Sequence, residues 1–469
     1  MTHRPLILLE FNELSPHLME RFLGMGCLPN FQRLHDASEV YITEAEERRW
    51  ELNPWVQWVT VHSGLNYRDH GIIELDEGHK LRAGRVWDVV SEAGYPVCVW
   101  GSMNVGYQPG VKGVILPDPW ATKVAPTPAG LQPFFRFVQQ NVLEHTSGKV
   151  PLGAADYAAF ATFMLAHGMS LRTVTALIRQ LVDERFSSPD MHWKRAVLLD
   201  KLQFDVFRWY YRKTRPLFST FFSNSTAHFQ HFHWREMEPH LFTHRPAPER
   251  LAAHEHTILF GYQEMDKLIG RVLDMAGPDT TIVFATAISQ QPCLIYEEQG
   301  GKVMYRPADM SRLLRFAGVT EPHSSAPLMA EVFNVHFQSE VDAVRAEARL
   351  RTLTVDGRPA MQVLREGMQL TTKCQLHDQL EKNARIGRGE AGPSVPFFEM
   401  FYQLEDSKSG MHHPDGMFWV RTPGQPHRTH AGKVPLASVA PTLLELMGMP
   451  VPPHMTTAPV GASHVAAAV

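Results

Sequence analysis

Short apolar runs alternate with amphipathic segments along most of the chain. Runs at residues 6–9, 96–100, 217–222 and 280–285 have the length of buried β-strands and are bounded by turn residues. The segments between them repeat apolar residues at positions i, i+3 and i+4, as amphipathic helices do, and the last such helix is predicted over 439–446. Strands that alternate with helices predict an α/β fold, with a mainly parallel sheet sandwiched by helices.

Two stretches depart from this alternation. Residues 125–215 carry apolar positions at helical spacing almost throughout, which predicts a helical cap. Residues 301–395 change between strand and helix over short distances, with a helix predicted over 340–350, and indicate a small α+β insertion. The predicted divisions are core at 1–124, 216–300 and 396–454, the helical cap at 125–215, the α+β insertion at 301–395, and a flexible tail at 455–469.

Polar side chains follow the apolar strand runs, which is where open α/β sheets place their sites. The densest group is residues 221–235, FFSNSTAHFQHFHWR, where histidines and amides come directly after a strand. Histidines at such a place can bind a metal, shuttle protons or bind an anion. The polar residues expected at the strand ends are Glu10, Asn12, Asn104, Asn224, His228, Gln230, His231 and Gln290.

The composition of the chain argues against some classes of protein but does not indicate a reaction. The 469 residues include 45 basic and 49 acidic side chains, so no strong field for nucleic acid or a membrane surface is expected. The four cysteines lie far apart with no CxxC pair, which favours a reducing compartment. The apolar run at 6–9 is too short for a signal-peptide core or a membrane span. We therefore expect a cytoplasmic protein with a small-molecule partner, no nucleic acid and no membrane span.

Several segments, in order along the chain, carry a family resemblance. They are Leu28-Pro29-Asn30, residues 58–72 (WVTVHSGLNYRDHGI), Gln230-His231 ahead of Trp234, residues 410–416 (GMHHPDG), and Ala440-Pro441-Thr442. Together they resemble the alkaline phosphatase superfamily, in its type I phosphodiesterase/nucleotide pyrophosphatase-like branch. The resemblance implies an alkaline-phosphatase-like fold, in which two metal ions hold a phosphoryl group while a Thr or Ser attacks it.

This sequence departs from that family at most of the site positions. His231 and His412 match histidine ligands of the family. Other side chains stand where the resemblance implies further ligands or the nucleophile: Asn12, Asn53, Pro54, Ala227, Ala287 and Ile288. Alanine and isoleucine cannot donate an electron pair, and divalent metals in proteins need three or four ligands. We therefore expect no two-metal site and no cofactor, although one weakly bound divalent metal stays possible.

Two hypotheses follow for function. In the first, the protein is a hydrolase or transferase that acts on a phosphorylated or glycosidic small molecule, with Glu10, His231 and His412 as acid–base or ligand groups. In the second, it is a catalytically inactive relative that binds a sugar, a phosphate ester or a protein partner. The residues predicted to bind substrate are Asn12, Asn53, Asn104, Asn224, His228, Gln230, Gln290 and His413. Further carboxylates expected near the cleft are Glu13, Glu51, Asp69 and Asp118.

Overall fold

The centre of the protein is a sheet of eight strands in a computed structural model of the chain. The structure describes residues 3–48, 51–147, 152–186, 189–299, 301–327, 331–389, 392–404 and 408–461. In spatial order the strands of the large sheet are Arg428–Pro435, Glu39–Glu44, Asp415–Arg421, Thr281–Ala285, Leu6–Phe11, Phe218–Ser223, Val97–Trp100 and Gly113–Leu116.

Five neighbouring strands of this sheet run parallel, from Gly113–Leu116 at one edge to Thr281–Ala285. The next strand, Asp415–Arg421, is antiparallel to both of its neighbours. The outermost pair, Glu39–Glu44 and Arg428–Pro435, is again parallel. The predicted α/β class, with a mainly parallel sheet covered by helices, is confirmed.

The first strand shows how the sequence builds a core on each face of the sheet. Successive side chains of a strand point to opposite faces, so Ile7 and Leu9 pack into one apolar core while Leu6 and Leu8 pack into the other. Helices bury both cores. The longer helices against the sheet are Pro16–Gly24, Pro29–His35, Pro54–Ser63, Val86–Glu92, Arg195–Thr214, Ser225–Met237, Thr257–Met275 and Val439–Leu446.

Two further groups of elements complete the fold. The helices Gln132–Ser147, Ala154–Ala166 and Leu171–Phe186 precede Arg195–Thr214 along the chain, and Phe134 and Phe163 of the first two join the apolar core that holds Ile7 and Leu9. A separate apolar core joins residues between Val303 and Phe401. Its strands are Tyr305–Pro307, His323–Pro327, Phe333–Phe337, Leu353–Val355, Arg358–Pro359, Met361–Glu366, Gln369–Cys374, Arg385–Arg388, Ser394–Pro396 and Phe401–Gln403, and its helices are Met310–Ala317, Glu340–Leu350 and Phe397–Met400.

Several predicted boundaries can be compared with these elements. The helices predicted over 340–350 and 439–446 are confirmed. The division of the chain into core, cap and insertion stays a prediction. The predicted tail begins with residues 455–461, and the remainder, 462–469, falls outside the described residues. Within the described parts of the chain, no helix combines the length and the apolar character needed to cross a bilayer.

Candidate metal centre

Three neighbouring parallel strands end side by side at the carboxyl end of the sheet. Glu10 is in register with Phe222 of the neighbouring strand on one side and with Ala285 of the neighbour on the other. The segments that follow these strands, at residues 12–13, 224–231 and 286–290, therefore emerge side by side. The carboxyl ends of parallel strands form the crevice where α/β proteins bind ligands.

A carboxylate and two imidazoles meet at these strand ends. Glu13 follows the first strand directly, is only 2% exposed, and has a backbone φ of +60°. Its Oε2 lies 3.1 Å from Nε2 of His231 and 3.5 Å from Nε2 of His412. All three possible ligand atoms lie within 4.8 Å of one another. A left-handed backbone at a residue other than glycine costs energy and is often found at functional sites.

The two histidines come from elements far apart in sequence. His231 lies in the helix Ser225–Met237, which begins directly after the strand Phe218–Ser223. His412 lies on the short strand Gly410–His413, which pairs antiparallel with Ser289–Pro292. A Cβ atom at Gly410 would be 2.3 Å from the backbone oxygen of Gln230. Only glycine lets this strand come close enough to the helix for the two imidazoles to meet.

Backbone carbonyls fix the orientation of both rings. Nδ1 of His231 lies 3.3 Å from the Gly410 oxygen, and Nδ1 of His412 lies 2.8 Å from the Leu52 oxygen. A carbonyl oxygen only accepts, so each Nδ1 carries the hydrogen and donates it. Burial lowers the pKa of His412 to about 3 and also lowers the pKa of His231. Nε2 of each ring faces Glu13.

Side-chain amides hold Glu13 in place. Its Oε1 accepts a hydrogen bond from Nδ2 of Asn12 at 2.9 Å, and its Oε2 accepts one from Nε2 of Gln290 at 2.5 Å. Its backbone oxygen accepts from Nε2 of Gln230 at 2.6 Å. Burial opposes ionisation of Glu13, but His412, His231 and Lys408 outweigh it and lower the pKa of the carboxyl to about 2. Glu13 is therefore an ionised carboxylate.

These amides are themselves held by other side chains. Asn12 accepts from Nε1 of Trp58 at 2.8 Å and donates to Oδ1 of Asn224 at 2.7 Å. Gln230 accepts from the Tyr262 hydroxyl at 2.8 Å. The structure thus brings together around Glu13 six residues predicted from the sequence: Asn12, Asn224, Gln230, His231, Gln290 and His412. Their catalytic or substrate-binding roles stay predictions.

Glu10 does not join this group. The first strand extends to Phe11, two residues beyond the predicted run, so Glu10 lies inside the strand rather than after it. Its side chain is fully buried, and its Oε1 accepts a hydrogen bond from Nε2 of His62 at 2.8 Å. Glu13 occupies the place beside His231 and His412 that the sequence analysis gave to Glu10. The expectation that Glu10 follows the strand was wrong, because a buried histidine lets a carboxylate remain within the sheet.

Four residues that were also predicted to bind substrate remain to be placed: Asn53, Asn104, His228 and His413. Among the described residues, the amide of Asn104 bonds to backbone groups, accepting from Glu77 and Gly78 and donating to Trp55 and Glu74, so it shapes a loop. The others are Asn53, directly before the helix Pro54–Ser63; His228, exposed on its helix; and His413, whose Nδ1 accepts from the Asp415 backbone.

The sheet and the Glu13 cluster define an α/β protein with two histidines and one carboxylate converging at the carboxyl ends of its parallel strands. No protein-family model matches the chain. No curated protein matches it either.

The chain is similar to solved structures of low sequence identity. Murine ectonucleotide pyrophosphatase/phosphodiesterase 5 shares 10% identity, with 96% of this chain and 97% of that chain covered and a TM-score of 0.43. The human form of that protein also shares 10% identity, with 96% of each chain covered and a TM-score of 0.43. Phosphonoacetate hydrolase from Sinorhizobium meliloti 1021, in complex with phosphonoformate, shares 11% identity, with 96% of each chain covered and a TM-score of 0.42. Likeness at this level assigns no activity to this chain.

Proposed function

We propose that Glu13, His231 and His412 bind one divalent metal ion, and that the protein is a metal-assisted hydrolase or transferase. Its substrate is a phosphorylated or glycosidic small molecule. The observation that carries this proposal is the convergence of one carboxylate oxygen and two imidazole nitrogens at a buried strand end. Each imidazole has its other nitrogen bonded to a backbone carbonyl, so Nε2 is the nitrogen left to bind a metal ion.

The separations suit a single metal ion. Ligand atoms about 2.0–2.2 Å from a tetrahedral zinc ion lie roughly 3.3–3.6 Å from one another. The Glu13 oxygen is 3.1 Å and 3.5 Å from the two imidazole nitrogens. Two histidines and one carboxylate leave coordination positions open for substrate, as in catalytic zinc and non-haem iron sites. The carbonyls on Nδ1 and the amides on Glu13 are the outer hydrogen bonds that such ligands usually have.

A second metal ion does not fit beside the first. Ala227, Ala287 and Ile288 stand at positions where the resemblance implies ligands, and all three are buried and without a donor atom. The proposal is therefore limited to one ion held by three protein groups.

In this proposal the residues around the site have different roles. When bound, a divalent ion polarises an ester or glycosidic oxygen as a Lewis acid. Glu13 supplies the negative charge of the ligand set, and Asn12 and Gln290 keep its two oxygens in position. Asn224 uses its Oδ1 to accept from Asn12, which leaves its amide nitrogen, at the same strand end, for a substrate oxygen.

Metal analysis of the purified protein tests the proposal. The wild type should bind one equivalent of zinc, manganese or iron, and Glu13→Gln should lower the affinity by about 100-fold or more because the anionic ligand is lost. Glu20→Gln is the matched control, since Glu20 is exposed on a neighbouring helix. Two equivalents in the wild type, or equal affinity in wild type and Glu13→Gln, would contradict the single site.

A substrate screen tests the enzymatic part separately. Phosphodiesters, sulfate esters and glycosides should be offered to the metal-loaded wild type and to His231→Ala. Turnover that is lost in His231→Ala supports the enzyme. Ligand-induced thermal stabilisation with no turnover supports instead the inactive relative that only binds its ligand.

A further inference from the structure

The helix Leu171–Phe186 turns its apolar side to solvent. Five of its large apolar side chains are between 48% and 83% exposed, and we call them the apolar stripe: Leu171, Ile178, Leu181, Val182 and Phe186. At 3.6 residues per turn they lie within an arc of about 140° around the helix axis. Together they expose roughly 600 Å², which equals the largest apolar patch of a typical monomer, and such patches mark interaction sites.

Polar side chains occupy the opposite side of this helix. Its buried residues are Thr173 and Gln180. Nε2 of Gln180 donates to Oε1 of Glu184 at 2.8 Å, and the same oxygen accepts from Nε of Arg195 at 2.7 Å. Leu177 packs against the main apolar core, whereas the apolar stripe takes no part in that core. The usual orientation of a surface helix, with its apolar face inward, is therefore reversed.

Positive charges border the apolar stripe. By the same helical geometry, Arg172 and Arg179 lie along one border of the stripe and Arg185 lies within it, and all three are exposed. The two acidic residues of the helix oppose them only in part. Asp183 lies 3.8 Å from Arg179, while the side chain of Glu184 is turned inward and is only 8% exposed. The outward surface of the helix is therefore apolar and carries a net positive charge.

The turn before this helix adds further cations. The backbone oxygen of Gly168, in that turn, accepts from the guanidinium of Arg208 at 3.4 Å. A cleft of about 380 Å³ beside it is lined by Gly168, Arg208, Trp209, Arg212 and Lys213, none of which is acidic. Nζ of Lys213 lies 4.5 Å from the centre of the Trp209 ring. Positive charge thus also flanks the end of the apolar stripe at which the helix begins.

A second copy of the chain does not complement this surface. An antiparallel pair centred on the middle of the helix sets Arg172 of one copy against Arg185 of the other, and a parallel pair sets each arginine against itself. Like charges that face one another across an interface oppose association. An anionic lipid surface is complementary instead, because it takes up apolar side chains between its headgroups and attracts the cations that border them.

We propose that the apolar stripe and its arginines dock the protein onto the surface of an anionic lipid bilayer. The helix lies along the surface, with its apolar side chains at the boundary between headgroups and acyl chains. The chain as a whole carries 45 basic and 49 acidic side chains, so the attraction is local to this helix and its turn. The inference does not depend on the proposed metal centre, whose three residues lie on other elements.

Co-sedimentation of the intact protein with lipid vesicles tests this inference. The wild type should bind vesicles of equal parts phosphatidylglycerol and phosphatidylcholine about ten-fold or more tightly than pure phosphatidylcholine, and added salt should weaken the binding. Leu181→Gln should weaken it by about ten-fold or more, because an apolar side chain no longer enters the lipid. Leu364→Gln, at an exposed leucine of the strand Met361–Glu366, is the matched control and should change the affinity by less than about two-fold.

A charge variant separates the electrostatic part of the binding. Arg179→Gln should weaken binding to the anionic vesicles by about five-fold, because one cation near the surface is lost. Arg179→Lys, which keeps the charge, should restore most of the affinity. Arg82→Gln removes an arginine that is exposed elsewhere and should leave the affinity unchanged.

Three outcomes would overturn the inference. The first is no binding of the wild type to the anionic vesicles. The second is equal binding of wild type and Leu181→Gln when circular dichroism shows both to be folded, which is expected because Leu181 is exposed. The third is a concentration-dependent dimer in analytical ultracentrifugation that Leu181→Gln dissociates, since a second copy would then cover the apolar stripe.

Discussion

Asp200 gives a prediction about stability that can be worked out in detail. It lies in the helix Arg195–Thr214, is only 4% exposed, and accepts a hydrogen bond from Oγ of Ser225 at 2.5 Å. Ser225 is the first residue of the helix that carries His231. Burial raises the pKa of Asp200 to about 7, although the hydrogen bond from Ser225 opposes this change. The folded protein therefore holds Asp200 protonated at pH 5, whereas the unfolded chain ionises it.

The direction in which stability changes with pH follows from the raised pKa of Asp200 in the folded protein. The stability that this carboxyl contributes is complete below the pKa of the unfolded chain and is lost as the pH rises to the folded pKa of about 7. One pH unit changes the free energy of unfolding by about 1.4 kcal/mol over that interval. Asparagine does not ionise, so the stability of Asp200→Asn relative to the wild type should increase by about 3 kcal/mol from pH 5 to pH 8.

Urea denaturation of both proteins at pH 5 and pH 8 measures this difference. Asp274→Asn is a matched control, because Asp274 is exposed on the helix Thr257–Met275 and its replacement should leave the pH dependence unchanged. A difference between Asp200→Asn and wild type that stays constant with pH would refute the reasoning. It would mean that Asp200 ionises at the same pH in the folded and the unfolded protein.

Two further substitutions test how the site is built. His62→Ala should lower the free energy of unfolding by about 3–5 kcal/mol, because it leaves Glu10 buried without its imidazole partner. Urea denaturation measures this loss beside that of His17→Ala, an exposed control. A loss as small as that of the control would contradict the prediction. Gly410→Ala should cost about 1–3 kcal/mol, because its Cβ would overlap the Gln230 backbone oxygen. It should also weaken metal binding by about ten-fold or more, since it moves His412 away from His231; metal titration with unchanged affinity would show that the close approach is not needed.

The layered sheet could be predicted from the sequence because its signal is local. Each buried strand is a run of apolar residues with turn residues at its ends, and each helix repeats its apolar positions. His231 was found because its segment begins directly after a strand run and because Gln230-His231 matches a family pattern. His412 was found through the resemblance of its segment to a family pattern.

The sequence did not indicate that Glu13 would lie beside the two histidines, because residues far away in the sequence form its surroundings. The polar side chain of Glu10 appeared to end the first strand after Leu9, and nothing near it in sequence reveals that it bonds to His62 inside the sheet. The sequence analysis therefore named Glu10, and not Glu13, among the acid–base or ligand groups. Likewise, the loop role of Asn104 depends on backbone groups from two other segments, which no local pattern indicates.

The order of the ligand residues along the chain has a consequence for biosynthesis. Glu13 is made long before His412, because almost the whole described sequence separates the two residues. A nascent chain cannot offer the three donor atoms together until the segment with His412 has left the ribosome and the strand Gly410–His413 has paired. Truncation before Gly410 would therefore remove the proposed ion-binding site while leaving the first strands intact.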